Sequence, residues 1–271
     1  MVIEDLKKEI ISLVGARDAQ LLITGILDMS VTDYMLSGKK EISSDMATCI
    51  KAGAKRILMG EPLQYVVGMT EFMSLKFHVA DGVLIPRPDT ETLVETAMEV
   101  IGERSLSVLD IGTGSGCVGI SIASYCKNSR VVSVDISEKA LEIAKENAKL
   151  NKVNVEFLKC NILSEIPAGS YDVIVSNPPY IPTAVIDGLD KNVKDHEPKL
   201  ALDGGDDGLD FYRRITDIAP SILNSGGTLI YEVGHDQANE VKLLMEKDFT
   251  DIQIIKDLCG INRVIKAMKQ L

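Results

Sequence analysis

Val108-Leu109-Asp110-Ile111-Gly112-Thr113-Gly114-Ser115-Gly116-Cys117 is the stretch from which the fold can be read. An apolar strand runs straight into a glycine-rich turn, and the turn opens a helix. Glycines let the backbone approach a ligand closely, and free amides at a helix start favour a negative or hydrogen-bonding group. About twenty residues on, Val131-Val132-Ser133-Val134 ends in Asp135, and an acidic side chain at such a strand tip can accept both hydroxyls of a ribose. A nucleoside-containing cofactor follows, without a choice of which one. Gly114, Gly116 and Gly119 even satisfy the dinucleotide spacing G-x-G-x-x-G. Asp110 speaks against a pyrophosphate, because two negative groups beside the turn repel each other, whereas a sulfonium and an ammonium would be attracted.

Outward from this stretch, strands and helices alternate. The pattern predicts strands at 107–111, 130–135, 154–159, 171–176 and 228–233, with helices near 117–125, 137–150, 208–223 and 237–247. Repeated strand–helix units imply an α/β fold of the Rossmann-like, doubly wound kind, its mostly parallel sheet covered on both faces. The tail, 252–256 and 261–265 around Gly260, reads as an antiparallel addition to that sheet. On the N-terminal side, Pro86-Arg87-Pro88 stops a strand and Asp89 is a candidate cap for a helix carrying Leu93, Val94, Ala97, Met98 and Ile101. Residues 72–86 have a period of two, with Asp81-Gly82 separating Leu75, Phe77 and Val79 from 83–85, so residues 71–87 are expected to form a β-hairpin linker. From Ile3 to Gly60 the period is helical, with Met46, Ile50, Ala54 and Ile57 on one face. The expected organisation is a small N-terminal helical bundle at 1–70, the linker, and the α/β domain at 88–271.

Composition narrows the classes. The chain has 271 residues, 45% of them apolar, 40 acidic against 29 basic side chains, and a net charge of −11. A broad electrostatic grip on nucleic acid is disfavoured at that charge, so no direct DNA binding is expected. No apolar run reaches the roughly 18 residues that span a bilayer, and the first ten residues lack the apolar core of a signal peptide. Five cysteines without a C-x-x-C and three scattered histidines form neither a disulfide framework nor a metal site. The expectation is a cytoplasmic protein without membrane contact, monomeric because no exposed heptad or apolar strip stands out.

The second chemical motif is Asn177-Pro178-Pro179-Tyr180, directly after the strand at 171–176. In open α/β sheets ligands sit at the carboxyl ends of the strands, so this tetrapeptide should face the same crevice as the glycine turn. Its chemistry suits a planar group bearing an NH2. The Asn177 side-chain oxygen and the Pro178 carbonyl can each accept one N–H, the prolines hold that backbone rigid, and Tyr180 can cover the flat face of the target. An adenine, cytosine or guanine amino group fits such a clamp as well as a side-chain amide does. A bare cofactor-binding module and a nicotinamide oxidoreductase are the readings from other classes.

Asp110–Gly116, Asp135 and Asn177–Tyr180 resemble the S-adenosylmethionine-dependent methyltransferases of amide and exocyclic nitrogens. Four further segments, Glu61-Pro62-Leu63-Gln64-Tyr65, Ile85-Pro86-Arg87-Pro88-Asp89-Thr90-Glu91, Glu197-Pro198-Lys199-Leu200-Ala201-Leu202-Asp203-Gly204-Gly205 and Glu232-Val233-Gly234, make the chain similar to the HemK/PrmC family. That family comprises protein-glutamine methyltransferases acting on peptide chain release factors. The resemblance implies S-adenosyl-L-methionine as cofactor and the glutamine of a Gly-Gly-Gln loop as target. It implies a cofactor site made by Asp110, Gly112, Thr113, Gly114, Ser115 and Gly116, with Asp135 on the ribose and Asn161 and Ile162 beside the adenine. Asn177, Pro178, Pro179 and Tyr180 would hold the glutamine, with Asn177 also touching the cofactor. Some relatives have an acidic residue followed by an aromatic one where this chain has Asn161-Ile162. The resemblance places Arg87 and Glu91 near the methionine end of the cofactor; a surface ion pair is the other reading. The stretch 181–207 is long for a connection and has the size of a substrate lid.

Overall fold

The computed structural model describes residues 2–270 and separates into two units. The first takes the residues through Met69 together with Val79–Asp81 and Asp190–His196. Its helices each hide one face. α1 (Ile3–Val14) buries Ile3, Leu6 and Ile10, and α2 (Ala16–Leu27) buries Ala19, Leu22 and Ile23. The short α3 (Val31–Leu36) adds Tyr34, and α4 (Ser44–Leu58) adds Ala47, Ile50 and Ala54. Ser43 caps α4 through its hydroxyl, which accepts the Met46 amide at 3.2 Å. Met46 itself is exposed, and Ala47 takes the core position expected for it. Gly53 lies inside α4 because a Cβ there would stand 2.9 Å from Leu22 of α2 and 3.1 Å from Val66 of α5 (Leu63–Val67).

The hairpin differs from the expectation. It is formed by β1 (Met69–Phe72) and β2 (Leu75–His78), and its turn is Met73-Ser74 rather than Asp81-Gly82. Residues 83–85 are not a strand. Both turn residues have positive φ, 49° and 56°, without being glycine. Tertiary bonds hold them there: the Met73 amide donates to Glu91 at 2.6 Å, and the Tyr125 hydroxyl donates to the Met73 carbonyl at 2.6 Å. A local turn code cannot register such partners.

The second unit, Thr70–His78, Gly82–Leu189 and Glu197–Leu271, is built on a seven-stranded sheet of order β5-β4-β3-β6-β7-β9-β8. Here β3 is Ser107–Ile111, β4 Arg130–Asp135, β5 Glu156–Lys159, β6 Tyr171–Ser176 and β7 Leu223–Glu232. These five are parallel. β8 (Phe249–Lys256) and β9 (Asn262–Lys269) close the far edge, with β9 antiparallel to both neighbours. The doubly wound sheet with its antiparallel tail agrees with the sequence reading. Alternation along β3 sends Leu109 and Ile111 to one face, beneath α11 (Asp210–Ile222) and α12 (Ala238–Met245), and Val108 to the other, beneath α6 (Glu91–Ile101) and α7 (Cys117–Tyr125). α8 (Glu138–Leu150) packs on β2, β4 and β5. Asp89 does not cap α6; it pairs with Arg263 of β9 at 3.1 Å. Between β6 and α11 the chain forms the short helices α9 (Thr183–Ile186) and α10 (Lys191–Lys194). No helix among the described residues is long and apolar enough to cross a membrane.

Strand order reverses beside β3, which has β4 on one side and β6 on the other, with Ile111 level with both Val134 and Ser176. Gly112, Asp135 and Asn177 therefore stand at one height at the carboxyl ends of three adjacent strands, at the point where ligands of open α/β sheets bind.

Candidate active site

The glycine turn is folded back over the tip of β4: the amides of Gly112 and Thr113 both donate to the Val134 carbonyl, at 2.9 and 3.0 Å. Asp110 lies beneath it. Its Oδ2 accepts the Thr113 hydroxyl at 2.5 Å, the Ser133 hydroxyl at 3.1 Å and the Gly119 amide at 3.2 Å. Burial pushes this carboxyl up to about 6 against the pull of those three bonds. Gly119 completes the dinucleotide-like spacing for a packing reason, since a Cβ there would meet Ser133 Oγ at 2.3 Å. Above the turn, Asp135 takes the Gly114 amide at 2.8 Å on one oxygen and the Ser137 amide at 2.9 Å on the other. Its carboxyl is also raised by burial, opposed by these amides.

A cavity of about 350 Å3 opens at this point. Gly112, Gly114, Asp135, Asn161, Ile162, Asn177, Pro178 and Pro179 all line it. Ile136, Leu163 and Phe211 make much of its wall apolar. Five of the expected residues are not on it: Asp110, Thr113, Ser115, Gly116 and Tyr180. The first two are the scaffold just described. Ser115 presents its carbonyl to Asn147 at 2.9 Å, and Gly116 packs where a Cβ would come within 3.0 Å of Ala144 on α8. Asn161 Oδ1 is taken by the Leu163 amide at 3.2 Å.

The tetrapeptide is held from several directions. Ser176 ties its strand to β3 through a 2.8 Å bond to the Ile111 carbonyl. Asn177 Nδ2 donates to the Thr90 hydroxyl at 3.2 Å, which turns its side-chain oxygen away from Thr90. Gln237 Nε2 donates to the Tyr180 carbonyl at 2.9 Å. Gly204 and Gly208 back the loop so closely that a Cβ would stand 2.8 Å from the Pro179 carbonyl oxygen and 2.3 Å from that of Tyr180, respectively. The Tyr180 ring lies against the core on the α11 side instead of over the cavity. Burial, then the nearby Glu232, raise its hydroxyl to about 12.

Sequence reasoning missed Thr90, Gln237, Gly208 and Asn147. Asn147 links the Ser115 carbonyl to both backbone groups of His78. Gly208 had a signal in the glycine cluster at 204–208, and Thr90 lay in the quoted segment 85–91; Gln237 and Asn147 had none. Arg87 and Glu91 do not reach the cavity. Arg87 Nη2 bonds both Glu197 oxygens, at 2.6 and 2.8 Å, and Glu91 holds the hairpin turn. Glu197 is fully enclosed, with burial raising its carboxyl and Arg87 lowering it. The pair anchors the segment whose Pro198, Leu200 and Ala201 line the cavity mouth. Among the described residues no group of His, Cys, Asp and Glu could hold a metal ion. The Cys117 thiol is pushed by burial to about 12, which keeps it protonated.

A Rossmann-like sheet carrying these elements at its switch point defines a methyltransferase. The family model for the methyltransferase small domain matches residues 88–188, and that for the PrmC N-terminal domain matches residues 14–68. A release factor glutamine methyltransferase of Clostridium acetobutylicum is 45% identical, covering 77% of this chain and 75% of that protein. Those of Bacillus anthracis and Thermodesulfovibrio yellowstonii are each 38% identical, over 92% and 93% of this chain and 90% and 92% of theirs. A methyltransferase crystal structure from Pyrococcus furiosus shares the fold with a TM-score of 0.57 and 20% identity, over 80% of this chain and 98% of that one. The chain belongs to the release factor glutamine methyltransferase family.

Proposed function

We propose that this chain transfers a methyl group from S-adenosyl-L-methionine to the side-chain amide nitrogen of the glutamine in the Gly-Gly-Gln loop of peptide chain release factors. One observation carries the reading: the glycine turn, Asp135 and the Asn177–Pro179 loop surround a single cavity. The cavity suits the cofactor. Gly114 has φ +55° with nothing within 4 Å of a would-be Cβ, so its backbone is open to a ligand, and the Asp135 carboxylate stands beside it for a ribose. Ile136 and Ile162 offer apolar faces to an adenine. When bound, S-adenosylmethionine supplies an electrophilic methyl on a sulfonium.

The residues of the chain handle the other reactant. An amide nitrogen is a poor nucleophile because its lone pair is delocalised into the carbonyl. With Asn177 Oδ1 and the Pro178 carbonyl each accepting one of its N–H groups, the nitrogen is fixed and its lone pair is turned toward the donor. Orientation at near-attack distance is worth about 7–11 kcal/mol. A bound cofactor would give up its methyl to this nitrogen and leave as the neutral thioether, while Asn177 and Pro178 would hold the nitrogen in place and its surplus proton would pass to solvent water.

The helical unit, residues 1–70, is assigned to release-factor docking, and residues 88–271 to catalysis. A net charge of −11 supports a protein substrate over DNA. Modification of a translation factor fits a cytoplasmic monomer. The test offers labelled S-adenosylmethionine with purified release factor, with its loop glutamine changed to alanine, with duplex DNA and with ribosomal RNA, using the wild-type chain and Asn177→Ala. Label should enter only the intact release factor, and Asn177→Ala should lower turnover by about 100- to 1,000-fold with cofactor affinity retained. Label in nucleic acid, or full turnover in the variant, overturns the reading.

A further inference from the structure

The Thr90 hydroxyl sits between the Asn177 carboxamide and the Glu232 carboxyl. On one side it accepts from Asn177 Nδ2 at 3.2 Å; on the other it bonds the carboxyl of Glu232, the last residue of β7. Thr90 and Glu232 are each 2% exposed, and Glu232 Oε2 has no hydrogen-bond partner among the described residues. Neither residue lines the cavity, and the methyl-transfer chemistry above uses neither.

We propose that Glu232 acts through Thr90 as a positioning residue, dictating which end of the Asn177 carboxamide faces the cavity, and that it does so only as the carboxylate. The inference rests on the clamp reading of Asn177. A carboxylate can only accept, so Thr90 must give it the proton and turn its lone pairs to Asn177. Only Nδ2 satisfies those lone pairs, which leaves Oδ1 for the incoming N–H. A protonated Glu232 can instead donate to Thr90, freeing the Thr90 proton to seek Asn177 Oδ1. The carboxamide then flips and points an NH2 at the NH2 of the substrate, donor against donor.

The charged and titratable groups around Glu232 come from every element packed there. They are Arg87 and Asp89 ahead of α6, Arg263 of β9, Tyr180 after β6, Tyr212 of α11 and Cys117 of α7. Arg263 is already shared between Asp89 at 3.1 Å and Asp257 at 3.2 Å, so it does not neutralise Glu232 outright. Burial raises Glu232 to about 7, against the pull of Thr90 and Arg263. Ionisation therefore grows as pH rises through neutrality, and turnover should grow with it.

The experiment measures kcat against pH from 5.5 to 9 for the wild type, Glu232→Gln, Thr90→Val and Thr90→Ser, with thermal unfolding as a check on folding. The wild type should show a rising limb near pH 7. Glu232→Gln, whose carbonyl accepts from Thr90 at every pH, should lose that limb. Thr90→Val should lower kcat by about 100-fold with the KM for S-adenosylmethionine unchanged, and Thr90→Ser should restore it. In parallel, the Asn177 side-chain amide protons, followed by NMR without any substrate, should shift across the same pH range in the wild type and stay fixed in Glu232→Gln. Wild-type kcat in folded Thr90→Val, a retained limb in Glu232→Gln, or Asn177 amide protons that ignore pH would overturn the proposal. A wild-type chain that leaves release factor unmethylated defeats the functional reading instead, and the substrate-free NMR titration still decides the positioning role.

Discussion

Gly208→Ala tests how rigidly the Asn177–Tyr180 loop must be held. Gly208 has φ +77°, and its missing Cβ would lie 2.3 Å from the Tyr180 carbonyl oxygen and 2.7 Å from Gln237 Nε2. Non-bonded heavy atoms do not rest that close, so the Tyr180 carbonyl must retreat by roughly 1 Å. Gln237 loses its 2.9 Å bond to that carbonyl in the process. The two prolines cannot absorb the shift, because their rings fix φ, and it passes to the Pro178 carbonyl. A displacement of roughly 1 Å in a positioning group lowers a rate by about 100-fold. Gly208 is not on the cavity, so cofactor affinity should change little. The left-handed backbone adds a separate penalty of about 1–2 kcal/mol to stability. Gly226→Ala isolates that penalty, because Gly226 has φ +70° with nothing within 4 Å of its Cβ. Single-turnover methyl transfer, calorimetric titration with S-adenosylmethionine and thermal unfolding would be run on both variants. A Gly208→Ala rate within about threefold of Gly226→Ala would refute the argument that this glycine fixes the clamp.

Asp135→Ala should weaken S-adenosylmethionine binding by about 10- to 100-fold, the worth of a charge-assisted pair of hydrogen bonds, read by calorimetric titration; unchanged affinity removes the ribose assignment. Arg87→Ala strands the enclosed Glu197 carboxylate and should cost about 1–3 kcal/mol of stability at pH 8. The loss should be smaller at pH 5, where Glu197 can take a proton, and Arg87→Ala/Glu197→Gln should recover it; equal losses at both pH values would show that the stranded charge is not their cause. Asp110, ordinarily at 3.8, is held at about 6 in the folded chain. The native state thus binds the extra proton between those values, and stability falls as pH rises through that window, by about 3 kcal/mol from this group alone. Asp110→Asn should flatten that slope in urea unfolding at pH 4 and 7, and an unaltered slope would mean another group titrates there.

Much of this protein was legible in one dimension because the signals are local. Apolar runs ending in Gly112 and Asn177, and the acidic tip at Asp135, follow from what each segment can hydrogen-bond and bury by itself. The spacing of strands and helices then restricts the sheet to a doubly wound one, since parallel strands need a helical crossover between them. Resemblance to a known family added the cofactor and the substrate. Roles that need a partner from far along the chain were hidden. Asp110 was expected beside the ligand; only the packing of Gly119 and Ser133 around it reveals a buried scaffold. Tyr180 was expected over the substrate, yet a half-apolar ring is drawn to the core once α11 is there to cover it.

The hairpin shows the same division. Asp81-Gly82 carries the strongest local turn code in its neighbourhood, but Met73-Ser74 makes the tight turn because Glu91 and Tyr125 are placed to stabilise it. Sequence alone determined the parallel strands of the sheet, which face of each is buried, and which peptide units are stiff enough to present a carbonyl. The tertiary structure decided which end of the Asn177 carboxamide meets the cavity. That choice depends on where one threonine proton goes, and it is made by a glutamate 142 residues further along the chain than that threonine.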